Sequence, residues 1–300
     1  MRGFQIERTL EEVTCSMETL PEKILKIPGI ALVAAGTPAC LVTLYDSAKR
    51  INALDRLFLC EISPVEYSLG KQGKKILQAA ERAGNLEEIR GVIIYASCME
   101  VLTMWDFQRE KKKLCCKVPV EILYRGPLVK RRVAPVQEWR KILDRWNIDI
   151  DEEAVKVAAS LQDINHAQEL EASNAYENKN LKRPTEPYFI QEIRNLADKD
   201  CDILLFTPGG YASSLKSLPV SMLKNVWNTR FTDYVLSQGN TAQISQEIKQ
   251  KFTQARSLYL LETAVPKFTG INLKKIADDL RKAGKEVIYR DYNGTKQTVI

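Results

Sequence analysis

Residues 29–44 read GIALVAAGTPACLVTL, and this stretch decides the fold class. Its first part, 30–35, is an unbroken apolar run, which is typical of a strand buried on both faces of a parallel sheet. Gly36 and Pro38 predict a tight turn after it, and the apolar residues that follow recur at helical spacing. The stretch therefore predicts one strand–turn–helix unit of an α/β fold.

The same alternation of strand and helix continues to Tyr124. Apolar runs predict further strands at 56–63, 92–96 and 118–124, and helical periodicity predicts helices at 41–54, 73–83 and 101–114. Strands that alternate with helices favour a doubly wound parallel sheet with right-handed crossovers. We therefore predict a Rossmann-like domain over residues 1–133.

Two further regions follow this domain. Residues 134–185 read as a helical connector, in which Trp139 and Trp146 lie on one helix face and the prolines at 184 and 187 end the helical pattern. Residues 186–300 read as a second Rossmann-like domain. In that domain the stretch from Ser257 aligns with the stretch from Gly91 at an offset of 166 residues without a gap. We interpret this as an internal duplication, with convergent α/β periodicity as the alternative.

Composition limits the classes of function. Of the 300 residues, 45% are hydrophobic, and 44 basic residues against 38 acidic ones give a net charge of +6. This weak excess comes with no nucleic-acid-binding motif, so we expect no nucleic-acid partner. The chain shows neither a secretory signal nor an apolar run of membrane-spanning length, which predicts a cytoplasmic protein with no membrane partner. Seven cysteines cannot all form intrachain pairs, and disulfides are rare in a reducing compartment.

Three of the cysteines stand where chemistry is expected. Cys40 and Cys98 follow predicted strands, and Cys15 lies in a short helical segment before the first strand. In α/β proteins the carboxyl ends of parallel strands form the ligand crevice, and converging thiolates suit an iron–sulfur cluster. We predict Cys15, Cys40 and Cys98 as metal ligands. Zinc is a weaker alternative, because zinc sites more often show paired Cys-x-x-Cys spacing.

The other cysteines and the turns have simpler interpretations. We assign Cys60, Cys201 and the adjacent pair at 115–116 to packing. Gly36 and Pro38 are predicted to bind the cofactor through the turn they form, which brings backbone N–H groups towards cluster sulfurs. Three thiolates are one fewer than a four-iron cluster requires, so a dimer shares the cluster or a non-cysteine ligand completes it, with Asp106 as a candidate. The turn at 207–210 is either structural or an anion cradle.

These motifs resemble the nitrogenase component 1 family. The resemblance rests on Cys15, on the Gly-x-Pro-x-Cys turn at 36–40 and on Ser97-Cys98 followed by a helix with Asp106, and it covers about residues 9–126. It implies that each subunit gives three cysteines to an iron–sulfur cluster, of four irons or more, at the interface of a homo- or hetero-oligomer. It also implies reduction by an ATP-dependent iron–sulfur reductase.

The chain departs from that family in several places. It is shorter than the catalytic subunits, Ala39 stands where a glycine is usual, and His166, the single histidine, lies in the connector. No late cysteine and histidine pair supports a nitrogen-reducing metal cofactor. Residues 139–170, and Cys98 with the following Trp105, are also similar to subunits of 2-hydroxyacyl-CoA dehydratases, which use an iron–sulfur cluster and an ATP-dependent activator.

Two classes of function follow. The first is an electron-transfer or reductase subunit that carries a cluster on the three cysteines, as a nitrogenase-like oxidoreductase or a dehydratase-like subunit. The second is a non-catalytic scaffold or cofactor-assembly protein on the same fold, which the absence of the ligand cysteines from the second domain favours. Fold alone does not choose between them, and the sequence does not name a substrate.

Overall fold

The computed structural model describes residues 4–10, 19–126, 129, 133–148, 181–208, 214–215, 218–253, 257–292 and 296–297. Its strands are β1 Glu7–Arg8, β2 Ile30–Gly36, β3 Leu57–Glu61, β4 Gly91–Ala96, β5 Val120–Tyr124, β6 Asp202–Phe206, β7 Val226–Asn228, β8 Ser257–Glu262, β9 Glu286–Arg290 and β10 Lys296–Gln297. Its helices within these ranges are α1 Leu20–Leu25, α2 Pro38–Arg50, α3 Pro64–Ser68, α4 Gln72–Gly84, α5 Cys98–Leu102, α6 Phe107–Lys111, α7 Pro135–Arg145, α8 Tyr188–Leu196, α9 Asp233–Gln238, α10 Thr241–Lys251, α11 Ala264–Phe268 and α12 Leu273–Lys282. Short 3₁₀ helices lie at Leu54–Arg56 and Val220–Leu223.

Contacts divide the chain into two compact units. The N-terminal unit comprises residues 17–125 and 129–185, and the C-terminal unit comprises residues 186–300 together with 1–16 and 126–128. Each unit has its own sheet, and the alternation of strands and helices makes both Rossmann-like α/β units. Most of the predicted connector, 149–180, lies outside the described residues.

The sheet of the N-terminal unit is entirely parallel, with the strand order β3-β2-β4-β5. Within the unit, the first strand along the chain therefore lies between the second and the third, which is the flavodoxin-like order of doubly wound folds. β2 and β4 are buried along their whole length, because helices cover the sheet on both faces. This explains why both strands read as continuous apolar runs.

The core on one face of this sheet joins the central strands to three helices. Residues of α1, α2 and α7 pack there against alternate residues of β2, such as Leu32 and Ala34. α4 contacts β2, β3 and β4 and buries its own apolar stripe, including Ile76 and Ala80. The ring of Trp146, just after α7, lies so close to Gly91 that a Cβ added there would approach it to 2.5 Å.

The C-terminal unit repeats the strand order inside a wider sheet. Its six strands follow the order β1-β7-β6-β8-β9-β10. The four inner strands are parallel, and they have the same order as the N-terminal sheet when each unit is counted from its own first strand. β1 and β10 are added antiparallel at the two edges. The sequence predicted neither edge strand.

The predicted offset of 166 residues holds for the structure of both units. The elements β4, α5, α6 and β5 begin at Gly91, Cys98, Phe107 and Val120, and β8, α11, α12 and β9 begin at Ser257, Ala264, Leu273 and Glu286. The offset also holds between the elements, where Met104 and Gly270 occupy equivalent positions with φ of 53° and 83°. Such matched detail in the loops supports duplication over convergence.

The predicted helix 101–114 was wrong as a single element. The chain instead forms α5 and α6, separated by a turn in which Met104 takes a left-handed conformation. A left-handed residue breaks a right-handed helix. Asp106 then starts α6 as its N-cap and accepts a hydrogen bond from the Arg109 N–H at 3.1 Å.

Over the described ranges, we find no helix with the length and apolarity that a membrane crossing requires.

The contact between Gly91 and Trp146 predicts a strong coupling in stability. Gly91→Ala should lower the free energy of unfolding by about 1–3 kcal/mol, because the new methyl group overlaps the indole ring. In a double-mutant cycle with Trp146→Leu, the loss should be less than the sum of the single losses by about 1 kcal/mol or more. Chemical denaturation of the four proteins measures this, and additive losses would show that the ring does not cover β4.

Candidate cysteine site

The candidate site lies at the carboxyl edge of the N-terminal sheet. Gly36 ends β2, and Cys40 lies in the first turn of α2 directly after it. Cys98 is the first residue of α5, two residues after the end of β4. Because β2 and β4 are parallel neighbours and their connections leave in opposite directions along the sheet, both cysteines reach the topological switch point.

Gly36 holds the two strand ends close together. A Cβ built on Gly36 would lie 3.1 Å from the Cβ of Cys40 and 3.3 Å from the Cβ of Ser97. Gly36 also has a φ of +153°, which side chains rarely permit. A larger residue here would push the Cys40 turn away from the turn that carries Cys98.

The two thiols differ in their environment. Cys98 is only 4% exposed, whereas Cys40 is half-buried. Burial raises the pKa of the Cys98 thiol well above its usual range; the nearby Cys40 raises that pKa further, and the cation of Arg125 lowers it. The described protein therefore holds Cys98 as a neutral thiol at physiological pH, within electrostatic reach of a second thiol and a cation.

Arg125, the residue after β5, connects the elements of the site. Its guanidinium donates hydrogen bonds to the carbonyls of Cys40 at 2.9 Å and Ala35 at 3.4 Å. The same group lies over the ring of Tyr95, 5.1 Å from its centroid, which is a cation–π geometry. Its Nε is buried and has no hydrogen-bond partner among the described residues. Arg125 therefore brings a fixed positive charge to the cysteine edge.

A buried carboxylate fixes the turn that carries Cys98. Glu100 is fully buried and accepts hydrogen bonds from the Ser97 N–H at 2.6 Å and the Ser97 hydroxyl at 2.7 Å. Its other oxygen accepts from the Tyr67 hydroxyl at 2.6 Å. Three donors stabilise this carboxylate, which offsets the cost of burying it. The network ties α3 to the start of α5 and so orients Cys98.

The predicted cofactor-binding turn has the expected shape. Thr37 is the N-cap of α2, and Pro38 occupies the first helical position, where its missing N–H costs nothing. The Thr37 hydroxyl is buried without a hydrogen-bond partner among the described residues. The N–H of Cys40, however, donates to the Thr37 carbonyl at 2.9 Å. The role of Gly36 and Pro38 towards a cofactor stays a prediction.

Several predicted residues have a simpler place or lie outside the described residues. Cys15 and His166 are not among the described residues, nor is most of the 207–210 turn. Asp106 caps α6, which accounts for its position without a metal. Cys60 is buried in β3, where burial raises the pKa of its thiol to about 12. Over the described ranges, no group of three or more His, Cys, Asp or Glu side chains is arranged to hold a metal ion.

Sequence reasoning missed Arg125, Glu100 and Tyr67. Glu100 was the recoverable one, because Ser97-x-x-Glu100 is a capping-box pattern that announces a helix start after β4. Arg125 and Tyr67 act over separations of 85 and 33 residues, and no local pattern marks such partners.

No protein-family model matches the chain, and a search of curated proteins finds no significant match to it.

The burial of Cys98 predicts slow modification of its thiol. In metal-free protein at pH 8, iodoacetamide should alkylate exposed Cys115 at least about tenfold faster than Cys98, since each unit of pKa increase removes about nine-tenths of the reactive thiolate. The rate at Cys98 should rise as the pH is raised towards its elevated pKa. Mass spectrometry of the labelled peptides measures both rates, and equal rates would contradict the described burial.

Proposed function

We propose that the protein is an iron–sulfur electron-transfer or reductase subunit in which Cys40 and Cys98 bind the cluster. The observation that carries this proposal is the convergence of the two cysteines at the switch point of a parallel sheet, on either side of Gly36. The resemblance to nitrogenase component 1 adds Cys15 as the third ligand and an ATP-dependent iron–sulfur reductase as the electron donor. The cluster would supply one-electron transfer at low potential.

The donor atoms fit such a cluster in kind and fall short in number. Thiolates are the usual protein ligands of iron–sulfur clusters, and both thiols lie at one edge of the sheet. The described residues offer two of them, so further ligands would come from Cys15 or from another chain. Binding requires that Cys98 lose its proton, which Arg125 favours because its charge lowers the pKa of that thiol.

The surface beside Cys98 supports an oligomer. Four apolar side chains of α3, α5 and the adjoining turns are exposed, namely Val65, Leu69, Leu102 and Met104. The hydrogen bond between Gln72 and Thr103, at 3.2 Å, joins the two regions that carry them. Exposed apolar patches next to a ligand site are typical of interaction surfaces. We assign this surface to a second chain of the same fold that completes the ligand set.

A scaffold or cofactor-assembly role is the second candidate. The position equivalent to Cys98 in the C-terminal unit is Ala264, which begins α11 just as Cys98 begins α5. One of the two sheet edges therefore keeps the local structure without the thiol. A protein that only holds a partner or a cofactor in transit would need no more than this.

Metal analysis distinguishes these functions. After strictly anaerobic purification, the wild-type protein should contain iron and acid-labile sulfide, and Cys40→Ser and Cys98→Ser should each lose most of both because they remove a ligand. Cys115→Ser is the matched control, since its exposed thiol lies away from the proposed ligands, and it should keep the wild-type content.

Cys15→Ser tests the third ligand in the same assay. A wild-type protein that stays colourless and free of iron after reconstitution would overturn the redox proposal and favour the scaffold. Stoichiometric zinc instead of iron would favour a zinc site on the same cysteines.

Arg125 should tune the reduction potential of the site. A fixed cation stabilises the more negative, reduced state, so Arg125→Gln should shift the midpoint potential to more negative values. Arg125→Lys retains the charge and should stay closer to the wild-type potential. Redox titration followed by electron paramagnetic resonance measures the three potentials. Equal shifts in both variants would mean that the hydrogen bonds of Arg125, and not its charge, set the potential.

A further inference from the structure

The C-terminal unit has a pocket of its own at the carboxyl edge of its sheet. The pocket is open, has a volume of about 380 Å³ and is lined by the last residue of β8, by β9, by the turn after α11 and by the start of α12. β6 and β8 form the topological switch point of this sheet, as β2 and β4 do in the N-terminal unit. Open α/β sheets bind ligands outside the carboxyl ends of their strands.

One side of this pocket carries negative charge and an unused hydroxyl group. Glu262, which ends β8, is 2% exposed, and one of its carboxylate oxygens accepts a hydrogen bond from the Tyr292 N–H at 3.2 Å. The side chain of Tyr289 is also buried and lines the pocket, yet its hydroxyl has no hydrogen-bond partner among the described residues. Burial raises the pKa of both groups, to about 12 for Tyr289.

The other side of the pocket carries positive charge. Lys267 and Lys274 line it, and neither ammonium group has a hydrogen-bond or ion-pair partner among the described residues. Leu273 and Lys274 are the first two residues of α12, a helix of 10 residues. The N-cap Asn272 accepts from the N–H of Lys275 at 2.9 Å, which leaves the N–H groups of Leu273 and Lys274 for an anion.

The pocket therefore combines an acceptor side and an anion side over an apolar floor. Ile271 and Leu273 form that floor and are 3% and 2% exposed. Glu262 suits an ammonium group, because a buried carboxylate gains most from a partner that carries a positive charge. The start of α12 with Lys274 suits a carboxylate. Lys267 is near enough to Glu262 to lower the pKa of its carboxyl, but the two are not in ion-pair contact.

We propose that this pocket binds a small amino acid, with the ammonium group on Glu262 and the carboxylate at the start of α12 beside Lys274. The proposal does not depend on the cysteines, because every residue that carries it belongs to the C-terminal unit. The C-terminal unit would then have kept the switch-point position of the duplicated fold and replaced thiol chemistry with recognition of a zwitterion.

Isothermal titration of the full chain tests this proposal. The probes are the twenty standard L-amino acids together with β-alanine and 4-aminobutyrate, which separate the ammonium and carboxylate groups by increasing distances. At least one probe should bind saturably with one site per chain. Methylamine and acetate, which carry one of the two groups each, should bind about tenfold more weakly or not at all, because each leaves one side of the pocket unpaired.

Three variants localise the binding. Lys274→Ala changes an exposed side chain and should weaken binding by about tenfold or more without loss of folding, and Glu262→Gln should weaken it comparably. Lys282→Ala, at the far end of α12, is the matched control and should bind as the wild type does. The proposal is overturned if no probe binds at millimolar concentration, if acetate alone binds as tightly as the best amino acid, or if Lys274→Ala leaves the affinity unchanged.

Discussion

The parallel pairing of β2 with β4 is the constraint on which the candidate site depends. The pairing runs from Ile30 opposite Gly91 to Ala34 opposite Tyr95, so the two strands end at the same level of the sheet. Two turns then begin side by side, and Gly36 leaves room for both. The thiols of Cys40 and Cys98 approach one another because of this register, and a shift of the register by one residue would turn the side chains of one strand to the opposite face of the sheet.

Charge around the site follows from the same arrangement. The carboxylate of Glu100 is used up by Ser97 and Tyr67, so it fixes the turn and is not free to act as a ligand. Arg125 follows β5 and reaches back to the Cys40 carbonyl, and its guanidinium compensates negative charge that thiolates would bring to a buried place. A neutral thiol and a nearby fixed cation together describe a site prepared for a metal, in which the proton leaves as the metal binds.

The sequence was sufficient for the parts of the fold that local patterns encode. β2, β4 and α4 were predicted within one or two residues, because continuous apolar runs and helical spacing are local signals. The offset of 166 residues was visible for the same reason. The split of the predicted helix 101–114 was missed, because the left-handed conformation of Met104 has no signature in a residue type that rarely adopts it.

Long-range partners account for the rest. The pairing of β1 with β7 joins Arg8 to Trp227, and no pattern in a two-residue strand announces it. In the site, Cys40, Cys98 and Gly36 could be identified from the sequence because they follow apolar strands, whereas the Arg125 cation could not. The pocket beside Glu262 was also hidden, since a buried glutamate at the end of an apolar strand reads as the strand's polar end.

The central claim is that Cys40 and Cys98 lie at one point and bind iron there. A crystal structure of anaerobically purified protein, with anomalous diffraction recorded on both sides of the iron absorption edge, tests this most directly. The account predicts an iron peak at metal–thiolate bonding distance, about 2.3 Å, from the Sγ atoms of both cysteines. Absence of an iron peak from this edge of the sheet, or one bound to neither thiol, would contradict it.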